Sequence, residues 1–354
     1  MRKLEKILVT GGSGFIGSNL IRYMLHQKSF SGKIINLDKL TYAGNPFNLT
    51  DIEKEFKSRY SFEKVDICDR NALSQIFKKY NIDTVIHLAA ESHVDRSILG
   101  PQAFINTNVI GTFNLLEEVR SIWKDKTDVL FHHVSTDEVY GSLGETGSFF
   151  ETTAYSPRSP YSASKAASDH LVQAYHHTYN LPVTISNCSN NYGAFQFPEK
   201  LIPLMILHML EGKALPIYGD GKQIRDWLHV EDHCSALWTI VQKGKLGETY
   251  NVGGEQEKEN IVLVNTLCEE VAKAQGLPGD TYKNLLTHVK DRPGHDRRYS
   301  INCDKIKTEL GWNQQFNFES GIKNTVSWYL NNPEWIKQIT SGEYTKWIET
   351  NYKN

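Results

Sequence analysis

The sequence has few of the features that mark chains outside the ordinary soluble class. Its five cysteines, Cys68, Cys188, Cys234, Cys268 and Cys303, are scattered and never form a CxxC pair. That spacing excludes a disulfide framework and a structural zinc site, so no metal is expected. The cysteines read instead as small buried hydrophobes in a reducing compartment. No apolar run approaches the roughly 20 residues that a membrane span requires. The chain opens directly into a strand-like segment, with no secretory leader expected and a cytoplasmic location implied. Excess charge is missing too. A formal net charge of -2 offers neither nucleic acid nor an anionic membrane a field to bind. Repeats and low-complexity tracts are also absent.

What is present is a regular alternation. Lys6–Thr10, Lys33–Asp38, Ser61–Val65, Thr84–Ala89 and Val129–Ser135 read as short β-branched strands. Helical patterns lie between and after them, near Gly14–Gln27, Arg70–Lys79, Gln102–Arg120 and Tyr161–Tyr179, followed by a strand at Val183–Asn187. Strand–helix alternation of this kind predicts an α/β fold with a doubly wound, Rossmann-type parallel sheet. After Tyr192 the character changes, with an apolar helix at Leu201–Glu211 and a turn-rich Tyr218–Lys222. Trp227–Lys243 reads as helical, Glu248–Val252 as a late strand, and Ile322–Leu330 and Glu343–Ile348 as aromatic-rich helices. The expected division is a dinucleotide domain of residues 1–190 plus about 225–254. A smaller, interleaved α/β substrate domain takes about 191–224 plus 255–354.

The segment ILVTGGSGFIGSNL places Gly11, Gly14 and Gly17 at a strand-to-helix turn. Without Cβ atoms such a turn lets backbone approach a pyrophosphate, whose charge sits at the helix N-terminus. The second strand ends at Asp38, 21 residues after Gly17, where a carboxylate grips ribose hydroxyls and repels a 2′-phosphate. NAD is therefore expected rather than NADP, an inference that Lys39 weakens but does not reverse.

Tyr161 and Lys165 stand in YSASK at i, i+4 spacing and share a helix face. An ammonium beside a phenol favours phenolate, lowering a pKa of about 10 toward neutrality. YxxxK by itself means little, because Tyr60/Lys64 and Tyr218/Lys222 repeat it. Only Tyr161 opens a helix about 25 residues beyond a strand ending in Ser135–Thr136. In STDEVYG, Asp137 and Glu138 stand at that strand end, where a helix N-cap would explain one acid. A pair suits an elimination, which needs one acid and one base.

Taken together in order, GGSGFIGS, HLAAESHVDRS, STDEVYG, PYSASKAASDHLV, CSNNYG, FPEKLIPL, IYGDGKQIRDWLHVEDH and DRPGHDRRY span nearly the whole chain. In this register the chain resembles the dTDP-glucose 4,6-dehydratases of the extended short-chain dehydrogenase/reductase family. The resemblance implies that Tyr161 deprotonates the glucose 4-hydroxyl while NAD accepts hydride from C4, with Thr136 on the same oxygen and Lys165 tuning Tyr161. It further implies that Glu138 removes the C5 proton while protonated Asp137 helps the 6-hydroxyl leave, and that hydride returns to C6.

By the same resemblance the cofactor meets Phe15 and Ile16 beside the glycines, and Lys39, Leu40 and Thr41 after Asp38. Asp66 and Ile67 lie at the adenine, and Leu88, Ala89, Ala90, Glu91, Ser92, Thr107 and Asn191 along the cofactor. Substrate contacts fall to Ser92, Thr136, Asn190, Lys200, Leu201, Pro216, Tyr218, Arg225, Asn260, Arg292 and His295. Arg225 and Arg292 suit a diphosphate, and Tyr218 in PIYG suits a pyrimidine. Ala194 and Phe195 depart from the family's more usual Pro-Tyr. A homodimer through the helices near Gln102–Arg120 and Tyr161–Tyr179 is expected of the family. A dehydratase acting on a different nucleotide sugar, or a 4-epimerase of the same fold, is the alternative. The acidic pair argues against the epimerase.

Overall fold

Runs such as KILVT, KIINLD and TVIH are apolar on both faces, a pattern that fits strands covered by helices on either side. In the computed structural model, which describes residues 2–340 except 3, 125, 292 and 293, they lie in the interior of a parallel sheet. The first half of the chain comprises β1 (Lys6–Thr10), α1 (Phe15–His26), β2 (Lys33–Asp38), α2 (Thr50–Glu55), β3 (Tyr60–Lys64), α3 (Arg70–Tyr80) and β4 (Thr84–His87). There follow α4 (Val94–Leu99), α5 (Pro101–Phe104), α6 (Thr112–Trp123), β5 (Leu130–Thr136), α7 (Pro160–Tyr179) and β6 (Val183–Cys188). The second half adds β7 (Asn190–Tyr192), α8 (Leu201–Leu210), β8 (Leu215–Tyr218), β9 (Ile224–His229), α9 (Val230–Lys243) and β10 (Thr249–Val252). It ends with β11 (Glu257–Glu259), α10 (Asn260–Ala274), β12 (Leu286–Val289), α11 (Asp304–Leu310), α12 (Phe318–Asn331) and α13 (Pro333–Thr340).

The large sheet runs β10-β6-β5-β4-β1-β2-β3, every pair parallel. Strand order reverses between β1 and β4, and ligands in such sheets bind outside the carboxyl ends at that switch point. One face buries Leu8, Leu73, Phe77, Leu115, Val119, Trp123 and Val172 beneath α3, α6 and α7. The other buries Ile7, Leu20, Met24, Leu237 and Trp238 beneath α1 and α9. Trp123 shows how tightly the first face is set. Its ring is fully buried and its Nε1 donates to Ile82 O at 2.9 Å, so truncation to alanine should cost about 3–5 kcal/mol. A separate core joins α8, α10, α12 and α13 around Met205, Leu267, Ile322 and Trp335, over two small sheets, β11-β9-β7 and β12-β8.

Strand ends agree with the sequence pattern to within a residue or two, but two elements differ. The stretch from Gln102 to Arg120 is not one helix. It is broken into α5, a π-helical turn at Ile105–Gly111, and α6. A π turn accommodates an extra residue, and such turns cluster at functional sites. Here it lets buried Asn108 donate to Glu91 O at 3.0 Å and accept from Glu91 N at 2.9 Å. Trp227–His229, expected as helix, belongs to β9 instead. Parallel pairing to β7 and antiparallel pairing to β11 claim its backbone, and His229 caps the helix that starts at Val230. The helix expected at 343–348 lies outside the described residues. Among the described residues no helix is long and apolar enough to cross a membrane.

Candidate functional site

The carboxyl ends of β1, β2, β4, β5 and β6 open onto one cleft. At its floor, Gly11 adopts φ +70°, and a Cβ there would stand 2.7 Å from Ala89 N. A Cβ on Gly17 would stand 2.2 Å from Gly11 O. Both contacts are with backbone that cannot yield, so only glycine permits this turn. Asp38 closes the turn, its Oδ2 accepting from Ser13 N at 3.0 Å and its Oδ1 from Leu40 N at 2.8 Å. Leu40 takes φ +58° to make that bend. Lys39 is directed at Asp66, 3.4 Å from its Oδ2, so its charge is engaged within the cleft wall.

Nearly every residue assigned to the cofactor lines this cleft: Gly11, Gly14, Phe15, Ile16, Gly17, Asp38, Lys39, Thr41, Asp66, Ile67, Leu88, Ala89, Ala90, Glu91, Ser92, Thr107 and Asn191. Leu40 does not line it and acts through its backbone N–H on Asp38. The cradle left by missing Cβ atoms, a carboxylate at the end of β2 and apolar walls at Ile67 and Ala89 fit a dinucleotide.

Thr136, Glu138, Tyr161, Lys165, Asn190 and Lys200 line the same cleft at its other end. Pro160 at the first helical position and a Ser159–Ser162 capping box start α7 directly before Tyr161. Thr136 caps the single 3₁₀ turn Asp137–Tyr140, its Oγ1 accepting from Glu138 N at 3.3 Å, and it hydrogen-bonds the Tyr161 hydroxyl. Asp137 lies just behind the wall, buried, with Oδ2 lacking a hydrogen-bond partner. Burial, then the neighbouring Glu138 and Asp226, hold its carboxyl well above the usual range, against the opposite pull of Arg225. Its surroundings therefore favour the protonated acid.

The phenol of Tyr161 runs against expectation. Burial, then Glu138, push it well above its ordinary value. Lys165 does not offset this, because its Nζ donates to Val134 O at 2.8 Å and contacts His133 Nε2 at 3.4 Å. Desolvation, invisible in an i, i+4 spacing, outweighs the neighbouring cation in the protein alone.

The remaining assigned residues form a second wing. Lys200 Nζ reaches Ser92 O at 3.0 Å just before Leu201 starts α8. Pro216 lies in β8 against Thr287. Tyr218 meets the His295 ring edge-on at 6.1 Å and directs its hydroxyl toward Asp95 at 3.4 Å. Asp291 joins His295 to Gln223, at 2.6 and 3.0 Å. Asn260 opens α10 with its Oδ1 buried and unpartnered. Arg225 is buried, its guanidinium 4.3 Å over the Tyr299 ring and bonded to Asp296 O at 3.0 Å. Arg292 lies outside the described residues. Sequence reasoning missed Gln196, Phe197 and Glu199, which also line the cleft. Glu199 is buried, accepts from the Tyr42 hydroxyl at 3.1 Å, and is pushed up to about 7 by burial. Its place in FPEKLIPL, one residue before Lys200, was the available signal. Among the described residues no group of three or more His, Cys, Asp or Glu is placed to hold a metal ion.

Comparison with known proteins agrees with this geometry. Residues 8–325 match the family described as GDP-mannose 4,6 dehydratase. A dTDP-glucose 4,6-dehydratase of Shigella flexneri is 56% identical, covering 98% of this chain and 99% of its own. A Bacillus anthracis dTDP-glucose 4,6-dehydratase solved in complex with NAD is 46% identical, with a TM-score of 0.83 over 95% of this chain and 99% of that one. The Streptomyces venezuelae dTDP-glucose 4,6-dehydratase, also solved with NAD bound, gives 42% and 0.86 over 94% and 99%. With such likeness along almost all of both chains, this protein belongs to the dTDP-glucose 4,6-dehydratase family.

Proposed function

We propose that the protein is an NAD-dependent hydro-lyase that converts dTDP-glucose to dTDP-4-keto-6-deoxyglucose. The observation that carries this is the adjacent pair of Glu138, lining the catalytic end of the cleft, and Asp137, buried just behind it where burial favours the protonated carboxyl. An acid and a base side by side serve elimination, whereas a 4-epimerase has no use for the acid.

NAD, when bound, accepts hydride from sugar C4 and returns it to C6. Every other step falls to the chain. Tyr161 takes the 4-hydroxyl proton, with Thr136 bonded to the same oxygen and the Lys165 ammonium on the same helix face. The resulting 4-ketone acidifies the C5 proton, which Glu138 removes. Asp137 gives its proton to the departing 6-hydroxyl, and water leaves. Glu138 then returns a proton to C5 as C6 is reduced. Each proton transfer contributes roughly 10²–10⁴-fold.

Ser92, Asn190, Lys200 and Leu201 hold the sugar in this reading. Arg225 and Arg292 hold the diphosphate, and Pro216, Tyr218, Asn260 and His295 hold the nucleoside. The chain divides into a cofactor domain of residues 1–190 plus about 225–254 and a substrate domain of the rest. In support, α9 packs against α1 and β10 rejoins the large sheet. We also infer a cytoplasmic homodimer through the Gln102–Arg120 and α7 helices. Ile105, Ile110 and Tyr179 are exposed apolar positions there, and the five cysteines are free thiols. Sedimentation at micromolar concentration tests the dimer.

Incubation with dTDP-glucose and no added NAD, followed by mass analysis, tests the reaction. Loss of one water is expected. An isomer of unchanged mass would replace the dehydratase by an epimerase.

A further inference from the structure

Tyr161, Lys165 and Asp169 stand at i, i+4 and i+8 of α7, so they share one face of that helix. Asp169 is as buried as Lys165, and the mechanism makes no use of it. Between them sits His133 of β5, whose Nε2 lies 3.4 Å from Lys165 Nζ and 3.1 Å from Asp169 Oδ1. Asp169 Oδ2 accepts from Ser135 Oγ at 2.8 Å, and the Tyr155 hydroxyl also bonds the carboxylate.

The imidazole is kept neutral by burial, so one ring nitrogen carries hydrogen. The Lys165 ammonium only donates, so Nε2 accepts from it at 3.4 Å and the ring hydrogen sits on Nδ1. The same Nε2 stands 3.1 Å from Asp169 Oδ1 without a hydrogen bond to it, so the imidazole spaces the ammonium from the carboxylate. An ammonium taken out of water without a counter-charge loses several kcal/mol of solvation, and in practice it gives up its proton.

We propose that Asp169 is a positioning residue: it is the buried counter-charge that keeps Lys165 an ammonium, acting across the His133 imidazole that stands between them. This rests on the reading of Tyr161 and Lys165 as the pair that acts on the 4-hydroxyl. The other groups around Lys165 do not supply a negative charge. His87 of β4 and His133 are neutral, and the Cys188 thiol of β6 is pushed up to about 12 by burial. The Tyr161 phenol is raised as well. Around Asp169, Tyr155 and Tyr140 remain protonated, and His170 follows it on the same helix. Burial raises Asp169 only to about 6, so it is charged at neutral pH. Burial lowers Lys165, with Asp169 as the principal opposing influence.

The direct test is a ¹⁵N NMR titration of the Lys165 ammonium in Nζ-labelled full-length protein, its resonance assigned by loss in Lys165→Met. In Asp169→Asn the Lys165 pKa should fall by about one unit or more. The alkaline limb of kcat/KM should move to lower pH with it. His133→Asn removes the imidazole that stands between the two charges and should move Lys165 the same way by about half as much, which decides the matter if Asp169→Asn does not fold. An unmoved Lys165 in the folded variant overturns the proposal. Absence of water loss from dTDP-glucose in the unaltered protein would sink the enzymatic reading instead, and the NMR titration reads the counter-charge independently of it.

Discussion

Trp335 donates its indole N–H to Asn48 Oδ1 across 2.7 Å, joining α13 to the 3₁₀ turn Pro46–Leu49, 287 residues earlier in the chain at Asn48. Asn48 in turn donates its Nδ2 to Ser13 O at 3.0 Å, and its own carbonyl accepts from Arg22. The Trp335 ring packs with Phe195, Trp328 and Tyr329. The C-terminal core therefore supports the backbone of the cofactor turn from behind.

Trp335→Phe keeps that ring cluster and removes one buried hydrogen bond, leaving Asn48 free to turn away. A buried hydrogen bond contributes about 1 kcal/mol, so NAD affinity should fall roughly fivefold. Calorimetric titration of the stripped protein with NAD checks this. Unchanged affinity would mean that the turn holds its shape without Asn48.

Gly17→Ala should be far more severe. The added methyl meets Gly11 O at 2.2 Å and Gly12 Cα at 2.6 Å, so the turn has to open where a pyrophosphate must approach. NAD retention through gel filtration should drop at least about tenfold, the result of losing upwards of 1.4 kcal/mol, while the circular dichroism spectrum stays native. Retention at the level of the unaltered protein would remove the glycine turn from the cofactor site.

The turn and the large sheet were readable because β1, β2, β4 and β5 are apolar runs bounded by turn residues, and Asp38 falls at a fixed distance from Gly17. Shorter elements were not. In β9 the sequence IRDWLH runs straight into α9, and only pairing with β7 and β11, remote in sequence, makes it a strand. The π turn at Ile105–Gly111 depends on one extra residue that helical periodicity does not register. Asp169 lies on the same helical repeat as Tyr161 and Lys165, but its importance is visible only once β5 brings His133 against it. Desolvation of Tyr161 is likewise a property of the fold, which is why the spacing pointed its phenol the wrong way.

Glu138→Gln and Asp137→Asn should fail at different steps. Without Glu138 no base removes the C5 proton, so substrate left in heavy water should acquire no deuterium at C5. Without the Asp137 proton the 6-hydroxyl leaves slowly, yet exchange at C5 continues. Both variants should lose about 10²–10⁴-fold in product formation. Mass analysis of recovered substrate separates them, and equal exchange in both would reverse or dissolve the assigned roles.

Glu199 offers a prediction about stability. Burial raises its folded pKa from 4.5 to about 7, with Lys200, Arg96 and the Tyr42 hydroxyl pulling the other way. The fold thus prefers the protonated acid. Its contribution to stability is complete below about pH 4.5 and is lost as pH rises through about 7. Glu199→Gln keeps a neutral side chain of the same shape at every pH. Any fixed cost of the amide, such as a buried N–H where Oε2 has no partner, is the same at both ends of the range. Relative to the unaltered protein, the variant's melting temperature should therefore be higher at pH 8 than at pH 5 by about 2–4 °C, the response to roughly 2.5 kcal/mol at an unfolding entropy of about 2.1 cal/mol/K per residue. Thermal melts of both proteins at the two pH values measure that difference. A difference of zero would show that Glu199 ionises in the cleft without cost, with water or Lys200 already solvating it.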